Sequence, residues 1–271
     1  MMKKLTCLIL GSLFVFPAIP ISFQISIHGL TIGFFHVYGS GNRTTKTIPI
    51  IGSPSKIDVS FGKLTIKQGN EQSLVVYADD NLHDHLKQVV SAASIQLGAK
   101  ENIYFSTKNP IEYTLTLQNT PNDLRASGSS SITTQVMKTE QMKLILSGAS
   151  KIYIPTLQTK RLTVDAGGDS KVHIPTLQTE VLTVDSSGAS KVTIDNGSTD
   201  NQKITCSGGS SYNAAGLKSA STTVDFSGAC KGSANAQHIS GKLSGASKLN
   251  IHGNPDDVDV NTSRGSCWNF I

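Results

Sequence analysis

Apolar and polar residues alternate along the second half of the chain, and the alternation is tied to a series of regularly spaced glycines. An apolar residue stands four positions before and four positions after a typical glycine, as Val184 and Val192 do around Gly188. Because the apolar residues of each segment occupy every second position, the pattern predicts strands that bury one face and expose the other. The glycines stand 20 residues apart, then 17, then 20, at Gly128, Gly148, Gly168, Gly188, Gly208, Gly228, Gly245 and Gly265.

Whole segments recur at the same spacing. The run Ile-Pro-Thr-Leu-Gln-Thr occurs at 154–159 and 174–179, and Leu-Thr-Val-Asp occurs at 162–165 and 182–185. A propeller blade needs about twice this length, and the pattern of leucine-rich repeats is absent. Because so short a unit buries its apolar face only against neighbours stacked about 4.8 Å away, the repeat predicts a β-solenoid. We therefore expect an all-β fold whose 123–271 portion is a right-handed parallel β-helix, the hand following from the usual chirality of crossovers.

The preceding region, residues 38–122, lacks this period and predicts a less regular N-terminal β domain, joined to the repeat without a linker. Asp79-Asp80-Asn81 before the run 82–90 predicts the start of a short helix. At the other end, we expect residues 268–271 to plug the open solenoid, because a terminal coil exposes both its core and its strand edge. Alternating apolar runs bounded by turn residues predict strands at 57–67, 73–78, 93–97, 102–106 and 111–117.

The first residues are typical of a secretory signal peptide, which we place at 1–22. Lys3 and Lys4 precede an apolar run that prolines interrupt at 17 and 20. The alternative is an N-terminal membrane anchor, because the apolar character continues to residue 37 and no A-x-A cleavage site is present. We expect export to the periplasm, the outer surface or the medium, with membrane contact only through an uncleaved leader.

Composition and charge exclude several function classes. The chain has 24 Lys+Arg against 19 Asp+Glu, and removal of Lys3 and Lys4 leaves 22 against 19, a net charge of about +3. That excess is too small to predict a nucleic-acid partner. No G-x-S-x-G motif is present, and the many serines are explained by the repeat. We therefore expect no catalytic residues, no cofactor and no enzymatic activity.

Two outward columns carry like charges in successive units. Asp165, Asp185 and Asp225 stand three before their glycines, and stacked carboxylates could bind a divalent cation or serve a lyase. We instead expect a solvated face of mixed charge, because Thr205 interrupts the column. Lysines could attract an anionic glycan or a membrane surface, but we expect them mainly to prevent edge-to-edge association. The lysines stand three positions after the glycines, at Lys151, Lys171, Lys191, Lys231 and Lys248.

A metal site is the first alternative to consider for His83-Asp84-His85. No Cys or further His stands at ligand spacing, so we expect a surface helix or turn there and no metal requirement in the protein. Ser150 and Ser190, two positions after their glycines, belong to a serine column whose hydroxyls should hydrogen-bond along the stack.

The cysteines predict no disulfide. Cys230 and Cys267 stand two positions after their glycines with Ser247 between them, which places them two coils, roughly 9 to 10 Å, apart and beyond bonding distance. Cys206 lies on the inward parity and should be a small buried hydrophobe. An odd number of cysteines after Cys7 also excludes a complete disulfide framework. We therefore expect three free thiols.

The chain resembles the bacterial family of the putative auto-transporter adhesin, head GIN domain. The resemblance covers about residues 38–267 and is carried by the segments 56–60, 62–69 and 75–82 and by Ser-Gly-Ala-Ser at 147, 187 and 244. It implies exported β-helical proteins, proposed from their shape to be adhesins, with no established active site. The chain departs from the pattern at 264–267, where Arg-Gly-Ser-Cys replaces another Ser-Gly-Ala-Ser.

We consider two functions. The first is a non-enzymatic protein of the cell envelope or surface, an adhesin or scaffold whose partner is a surface glycan or protein. The second is a β-helix that binds or processes polysaccharide. Processing requires a groove with clustered acids and aromatic platforms, whereas the few aromatic residues of the repeat fall in different columns. The sequence therefore favours binding or structure over catalysis.

Overall fold

The computed structural model describes residues 21–27 and 30–271, with side chains from residue 35 onwards. All regular structure in these residues is β except for one 3-10 helix, and none of their helical structure is long and apolar enough to cross a membrane. Residues 1–20 of the predicted signal peptide lie outside the described residues. The all-β prediction is confirmed.

The N-terminal region contains nine strands and the 3-10 helix. The five predicted strands are confirmed to within two residues at each end, whereas β1, β2, β3 and β6 are additional. The predicted helix is only half right, because the 3-10 helix gives way to a strand at Leu86. The elements are β1 (Ile21–Ile27), β2 (Leu30–Tyr38), β3 (Arg43–Pro49), β4 (Lys56–Gln68), β5 (Ser73–Asp79), the 3-10 helix (Asp80–His85), β6 (Leu86–Val90), β7 (Ser94–Ala99), β8 (Ile103–Ser106) and β9 (Glu112–Leu117).

Eleven further strands form the solenoid, which makes about seven turns. Successive coils pair in parallel at an offset of 20 residues until the final units, which confirms the predicted solenoid. The right-handed winding stays a prediction. The strands are β10 (Asp123–Thr134), β11 (Met137–Leu146), β12 (Lys151–Tyr153), β13 (Thr156–Ala166), β14 (Lys171–Ser186), β15 (Lys191–Cys206), β16 (Ser211–Phe226), β17 (Lys231–Leu243), β18 (Lys248–His252), β19 (Asp257–Thr262) and β20 (Cys267–Phe270).

One 17-stranded sheet runs through both regions. Strand β4 pairs in parallel with β10, and it also pairs in parallel with β7 and β9. Antiparallel pairs then join β3 to β5, β5 to β9 and β6 to β7. A separate three-stranded sheet contains β1, β2 and β8. The sheet is therefore continuous across residue 122, the predicted domain boundary.

The inward columns form one continuous core. Val164, Val184 and Ile204 pair in register and are fully buried, as the alternation predicts. The column reaches into the N-terminal region, because Ile57 of β4 pairs with Leu124 of β10. Parallel coils of equal length place equivalent residues above one another, so that each apolar side chain packs against its own counterpart.

Each bend between strands depends on its glycine. Gly168 has a φ of 71°, and a Cβ added there would lie 2.8 Å from the carbonyl oxygen of Gly148. Glycine alone combines the left-handed backbone with so close an approach to the coil below. The next residue, Asp169, donates its backbone N–H to the Gly148 carbonyl at 2.9 Å, which binds one bend to the other.

The last bend departs from this arrangement and corrects the predicted position of Cys267. Cys267 pairs with Lys248 and not with Ser247, so it lies one position beyond the serine column and is exposed as a free thiol. Arg264, with a φ of 57°, takes the left-handed position that a glycine holds in the other bends. Counting from Gly265 was wrong because the final offset is 19 residues, as the pairing with Lys248 shows.

A disulfide joins Cys206 to Cys230, so the prediction of three free thiols is wrong. Their Cα atoms are 6.1 Å apart and their sequence separation is 24. Ser210 shows the same relation, because its hydroxyl donates to the Ser186 carbonyl oxygen, 24 residues earlier, at 3.0 Å. A residue two positions after one bend glycine therefore lies over the residue two positions before the bend glycine of the previous coil. Cysteines at these two positions are close enough to form a disulfide.

The carboxyl-terminal residues cover the core only in part. Trp268 pairs with Leu249 and packs half-buried against the core, as expected of a plug. Phe270 and Ile271 are 57% and 67% exposed, so the remainder of the predicted plug lies on the surface.

Candidate functional site: the lysine ladder

Five lysines form a straight row on the outer surface of the strands that follow the bends, and we call this row the lysine ladder. Successive members pair across neighbouring strands, so the predicted lysine column is a column in space. Ser211 occupies one position of the same row, between Lys191 and Lys231. The members are Lys151, Lys171, Lys191, Lys231 and Lys248.

The ladder lysines are exposed and have no acidic partner. The ion pairs among residues 35–271 are Arg125–Asp123, Lys160–Glu140, His173–Asp195 and Lys242–Asp225, and none includes a ladder lysine. Adjacent ladder positions are about one strand spacing, 4.8 Å, apart along the backbone. Five like charges in a row raise the local potential, which attracts anions most strongly at low salt.

The neighbouring outward column is polar and contains no acid. Tyr153 and His173 lie in edge contact with ring centroids 5.4 Å apart, and the ring Nε2 of His173 lies 2.7 Å from a carboxylate oxygen of Asp195. Further along the solenoid the column provides hydroxyl and amide groups. Two positions after the ladder row stand Tyr153, His173, Thr193, Asn213, Ser233 and Asn250.

The aspartate column, in contrast, has mixed charge. Asp165 and Asp185 pair in register, but Thr205 follows, and Asp225 forms an ion pair with Lys242 at 3.2 Å. No group of three metal-ligating side chains occurs in the described part of the chain. The predicted mixed-charge face is confirmed at Asp225, and the absence of a metal requirement stays a prediction.

His83 and His85 lie on the 3-10 helix, in agreement with the predicted surface helix or turn. The Nε2 atom of His83 lies 3.0 Å from the hydroxyl of Thr44, so that ring has a hydrogen-bond partner within the fold. Ser150 and Ser190 bond to the coil below as expected, but through the backbone carbonyl oxygens of Ala126 and Ala166 at 2.9 Å and not through a ladder of hydroxyls. The hydroxyl of Ser170, between them in the column, is buried without a hydrogen-bond partner. These serines are structural.

Sequence reasoning missed a cleft of about 640 Å³ beside Tyr38, Phe61 and Phe105. Its wall includes Asp79, which is 2% exposed and whose Oδ2 accepts hydrogen bonds from the Gly41 N–H and the Thr107 hydroxyl. Asp79 Oδ1 is buried without a hydrogen-bond partner. Only the predicted helix start at Asp79 drew attention to this segment, because the cleft is formed by residues distant in sequence.

Several solved structures share the fold over nearly their whole length. A putative lipid binding protein from Parabacteroides distasonis matches with a TM-score of 0.76 and 17% identity, over 87% of this chain and 99% of that one. A putative adhesin from Bacteroides fragilis matches with a TM-score of 0.66 and 18% identity, over 86% and 99%. A putative adhesin from Parabacteroides distasonis matches with 0.73 and 15%, over 87% and 100%. At these identities the likeness establishes the fold alone.

No curated protein matches the chain. The model of one protein family matches residues 54–255, which include both the β4 strand and most of the solenoid. The match covers about three quarters of the chain, and it agrees with the resemblance carried by the Ser-Gly-Ala-Ser bends. The chain therefore belongs to the family described as putative auto-transporter adhesin, head GIN domain.

Proposed function

We propose that the protein is an exported, non-enzymatic adhesin that binds linear acidic polysaccharide along its lysine ladder. The observation that carries the proposal is the row of exposed lysines without acidic partners. If each lysine were paired with a carboxylate, the two charges would largely cancel at a distance and the row would attract no anion. An unpaired row leaves a positive potential that extends along the surface of the solenoid.

The geometry favours a linear polyanion over other anionic partners. The ladder charges lie in single file and, except across Ser211, are spaced by one coil each, so a polymer with regularly placed negative groups contacts several at once. Hydroxyl and amide groups beside the ladder, at Thr193, Asn213 and Ser233, suit the hydroxyls of a sugar chain. Single-stranded nucleic acid stacks its bases on exposed aromatic side chains, and in the described part of the chain Tyr153 is the one exposed aromatic side chain beside the ladder apart from the His173 ring.

The proposal of a non-enzymatic role rests on the distribution of acids. Asp165, Asp185 and Asp225 precede the bends, whereas the ladder follows them, so the proposed binding row and the acid column occupy different strand segments. General acid–base cleavage of a sugar chain needs two carboxyl groups on either side of the bound bond. The family description indicates adhesion and names no activity.

The binding experiment compares two double variants with the same loss of charge. Lys171→Ala/Lys191→Ala shortens the ladder, and Lys143→Ala/Lys203→Ala removes two exposed, unpaired lysines that precede the bends. With polygalacturonate and dextran sulfate as probes, we expect the ladder variant to bind about 10- to 30-fold more weakly, since each lysine contributes about 1 kcal/mol to binding an anionic surface. We expect the second variant to lose less than about threefold, mainly through the long-range field.

Equal losses in the two variants, or no binding of either polymer by the unaltered protein at low salt, would show that the ladder is not the binding surface. Neutral dextran serves as the control polymer. Cell fractionation tests export separately, and a protein retained in the cytoplasm with its first residues intact contradicts it. Release of reducing ends or unsaturated products from the bound polymers would contradict the non-enzymatic role.

A further inference from the structure

The ladder has a gap at Ser211, and the gap is a recess. A hollow of about 380 Å³ lies there between coils, with Tyr212 in its floor. Lys191 and Lys231 stand on either side of Ser211, one strand away each, and Lys248 follows after one further strand. Three lysines therefore line a recess at the position where the regular row would carry a further lysine.

The recess also offers neutral hydrogen-bonding groups that the protein does not use. Within the described residues, the side chains of Ser211, Asn213 and Ser233 form no hydrogen bond. Asn250, at the far end, accepts a hydrogen bond from Asn269 at 3.3 Å and keeps its own amide N–H groups available. No acidic residue lines the recess.

The floor of the recess is rigid. Tyr212 is 1% exposed, and its hydroxyl donates to the Gln202 side-chain oxygen at 2.7 Å. The amide of Gln202 in turn donates to the hydroxyls of Ser219 and Thr222 at 2.9 and 2.7 Å. A buried network in which each member has a partner fixes the positions of its side chains. The strand that carries Ser211 and Asn213 is therefore anchored before a ligand arrives.

We propose that this recess binds a sulfate or phosphate ester carried by the polymer, so that the protein selects sulfated or phosphorylated chains over chains that carry only carboxylates. The proposal rests on the ladder as the binding surface. A tetrahedral oxyanion has three terminal oxygens that only accept hydrogen bonds, and the recess supplies ammonium, hydroxyl and amide donors from several sides. A carboxylate has two such oxygens in one plane and uses fewer of these donors.

Substitution Ser211→Lys tests the recess against the ladder. It adds a positive charge to the row and also fills the hollow, so the two ideas predict opposite results for a sulfated polymer. We expect at least about fivefold weaker binding of dextran sulfate, because the lost contacts include several charge-assisted hydrogen bonds. Binding of polygalacturonate should be unchanged or stronger.

Ser131→Lys is the matched control. Ser131 occupies the same row, paired with Lys151 on one side and Lys63 on the other, and lies outside the recess. We expect this variant to strengthen the binding of both polymers. Asn213→Ala, which leaves the charge unchanged, should weaken dextran sulfate binding several-fold without affecting polygalacturonate. Thermal melting of all three variants confirms that they fold.

The outcomes separate the two proposals. If Ser211→Lys strengthens the binding of both polymers as Ser131→Lys does, the recess proposal is wrong and the ladder stands. If Asn213→Ala changes neither polymer, the recess proposal is likewise wrong. If shortening the ladder leaves both polymers bound as before, the proposed function fails, whatever the result at Ser211.

Discussion

The solenoid and the N-terminal region bury their apolar residues in one continuous core but achieve this differently. In the solenoid every pairing is parallel and, before the final units, repeats at an offset of 20 residues, so a residue packs against its own counterpart in the next coil. In the N-terminal region, β4 keeps the solenoid register on one side, whereas the other strands pair in both directions. The irregular region thus terminates the stack by turning a parallel edge into antiparallel pairs, which reduces the exposed parallel edge.

The two regions should therefore respond differently to the same damage. In a stack, each coil depends on its neighbours, and a defect in the middle divides the structure. At an end, a defect affects only the elements beyond it. Three substitution experiments test this difference, beginning with the largest expected effect.

Val184→Asp and Leu74→Asp each place an unpaired carboxylate at a fully buried position, one in the solenoid and one in β5. We expect each to cost about 4 kcal/mol or more of the free energy of unfolding. In Val184→Asp, hydrogen exchange should lose protection in coils on both sides. In Leu74→Asp, the loss should centre on residues 43–117, with the distant coils retaining protection.

Lys191→Ala is the control for position, since Lys191 lies only seven residues from Val184 but on the outward parity. We expect it to change stability by no more than about 0.5 kcal/mol. A tolerated Val184→Asp, or an equally large effect of Lys191→Ala, would contradict the strand parity. Identical exchange patterns in the two aspartate variants would contradict the difference between the regions.

The disulfide stabilises the solenoid alone, because residues 38–122 contain no cysteine. Cys206→Ser/Cys230→Ser should lower the free energy of unfolding by about 3 kcal/mol, the amount typical of a closed loop of this size. Serine at both positions repeats the arrangement of Ser186 and Ser210, which stand at the equivalent positions one coil earlier, so packing changes little. Denaturant melts under oxidising conditions measure the effect, with Cys267→Ser as the control. If a reducing agent does not lower the midpoint of the denaturant melt of the unaltered protein, the prediction is wrong.

Two buried tyrosines, one in each region, give the smallest effects. Tyr212→Phe leaves the buried Gln202 side-chain oxygen without a donor and should cost about 1 to 3 kcal/mol. The hydroxyl of Tyr113 is buried without a hydrogen-bond partner, so Tyr113→Phe should be neutral or slightly stabilising. Thermal melts of the two variants decide this, and equal losses would show that the Gln202 network is not a specific source of stability.

The same tyrosines predict an alkaline limit to stability. Burial raises the pKa of both Tyr113 and Tyr212, whereas the unfolded chain titrates with a tyrosine pKa of about 10. Their contribution is therefore complete below pH 10 and falls as pH rises above it, because the unfolded state releases protons that the folded state retains. Stability measured from pH 8 to 12 should fall less steeply in the double phenylalanine variant. Parallel curves for that variant and the unaltered protein would contradict this.

Much of the fold is predictable because the repeat makes sequence columns into columns in space. Val164, Val184 and Ile204 could be placed in one buried row from alternation and spacing alone. Strand β3 could not be predicted in this way, because its residues are mostly polar and exposed. It forms by pairing with β5, about 30 residues away. Strand β6 was assigned to a helix because the acidic start at Asp79 favours one locally.

The disulfide and the recess show where column counting fails. Counting from each glycine identifies residues that occupy the same position in different coils. At a bend, however, residues at different positions of neighbouring coils also come into contact, and this is how Cys206 meets Cys230. The lysine row was predictable, whereas its lack of acidic partners depends on which side chains reach it in space. The recess joins Lys191 to Asn250 across three coil steps, a contact that no local pattern indicates.

The last bend limits how the protein can grow by gene duplication. In the regular bends a backbone N–H reaches the glycine carbonyl of the coil below, as Ala229 does to Gly208 at 2.7 Å. At the last bend, where Gly265 is the equivalent residue, its backbone N–H makes no such bond to the Gly245 carbonyl. A coil appended beyond Arg264 would find no matching bend to rest on. Duplicated units therefore fit among the regular coils, where each inserted 20-residue segment would lengthen the row of bends by one without disturbing either end.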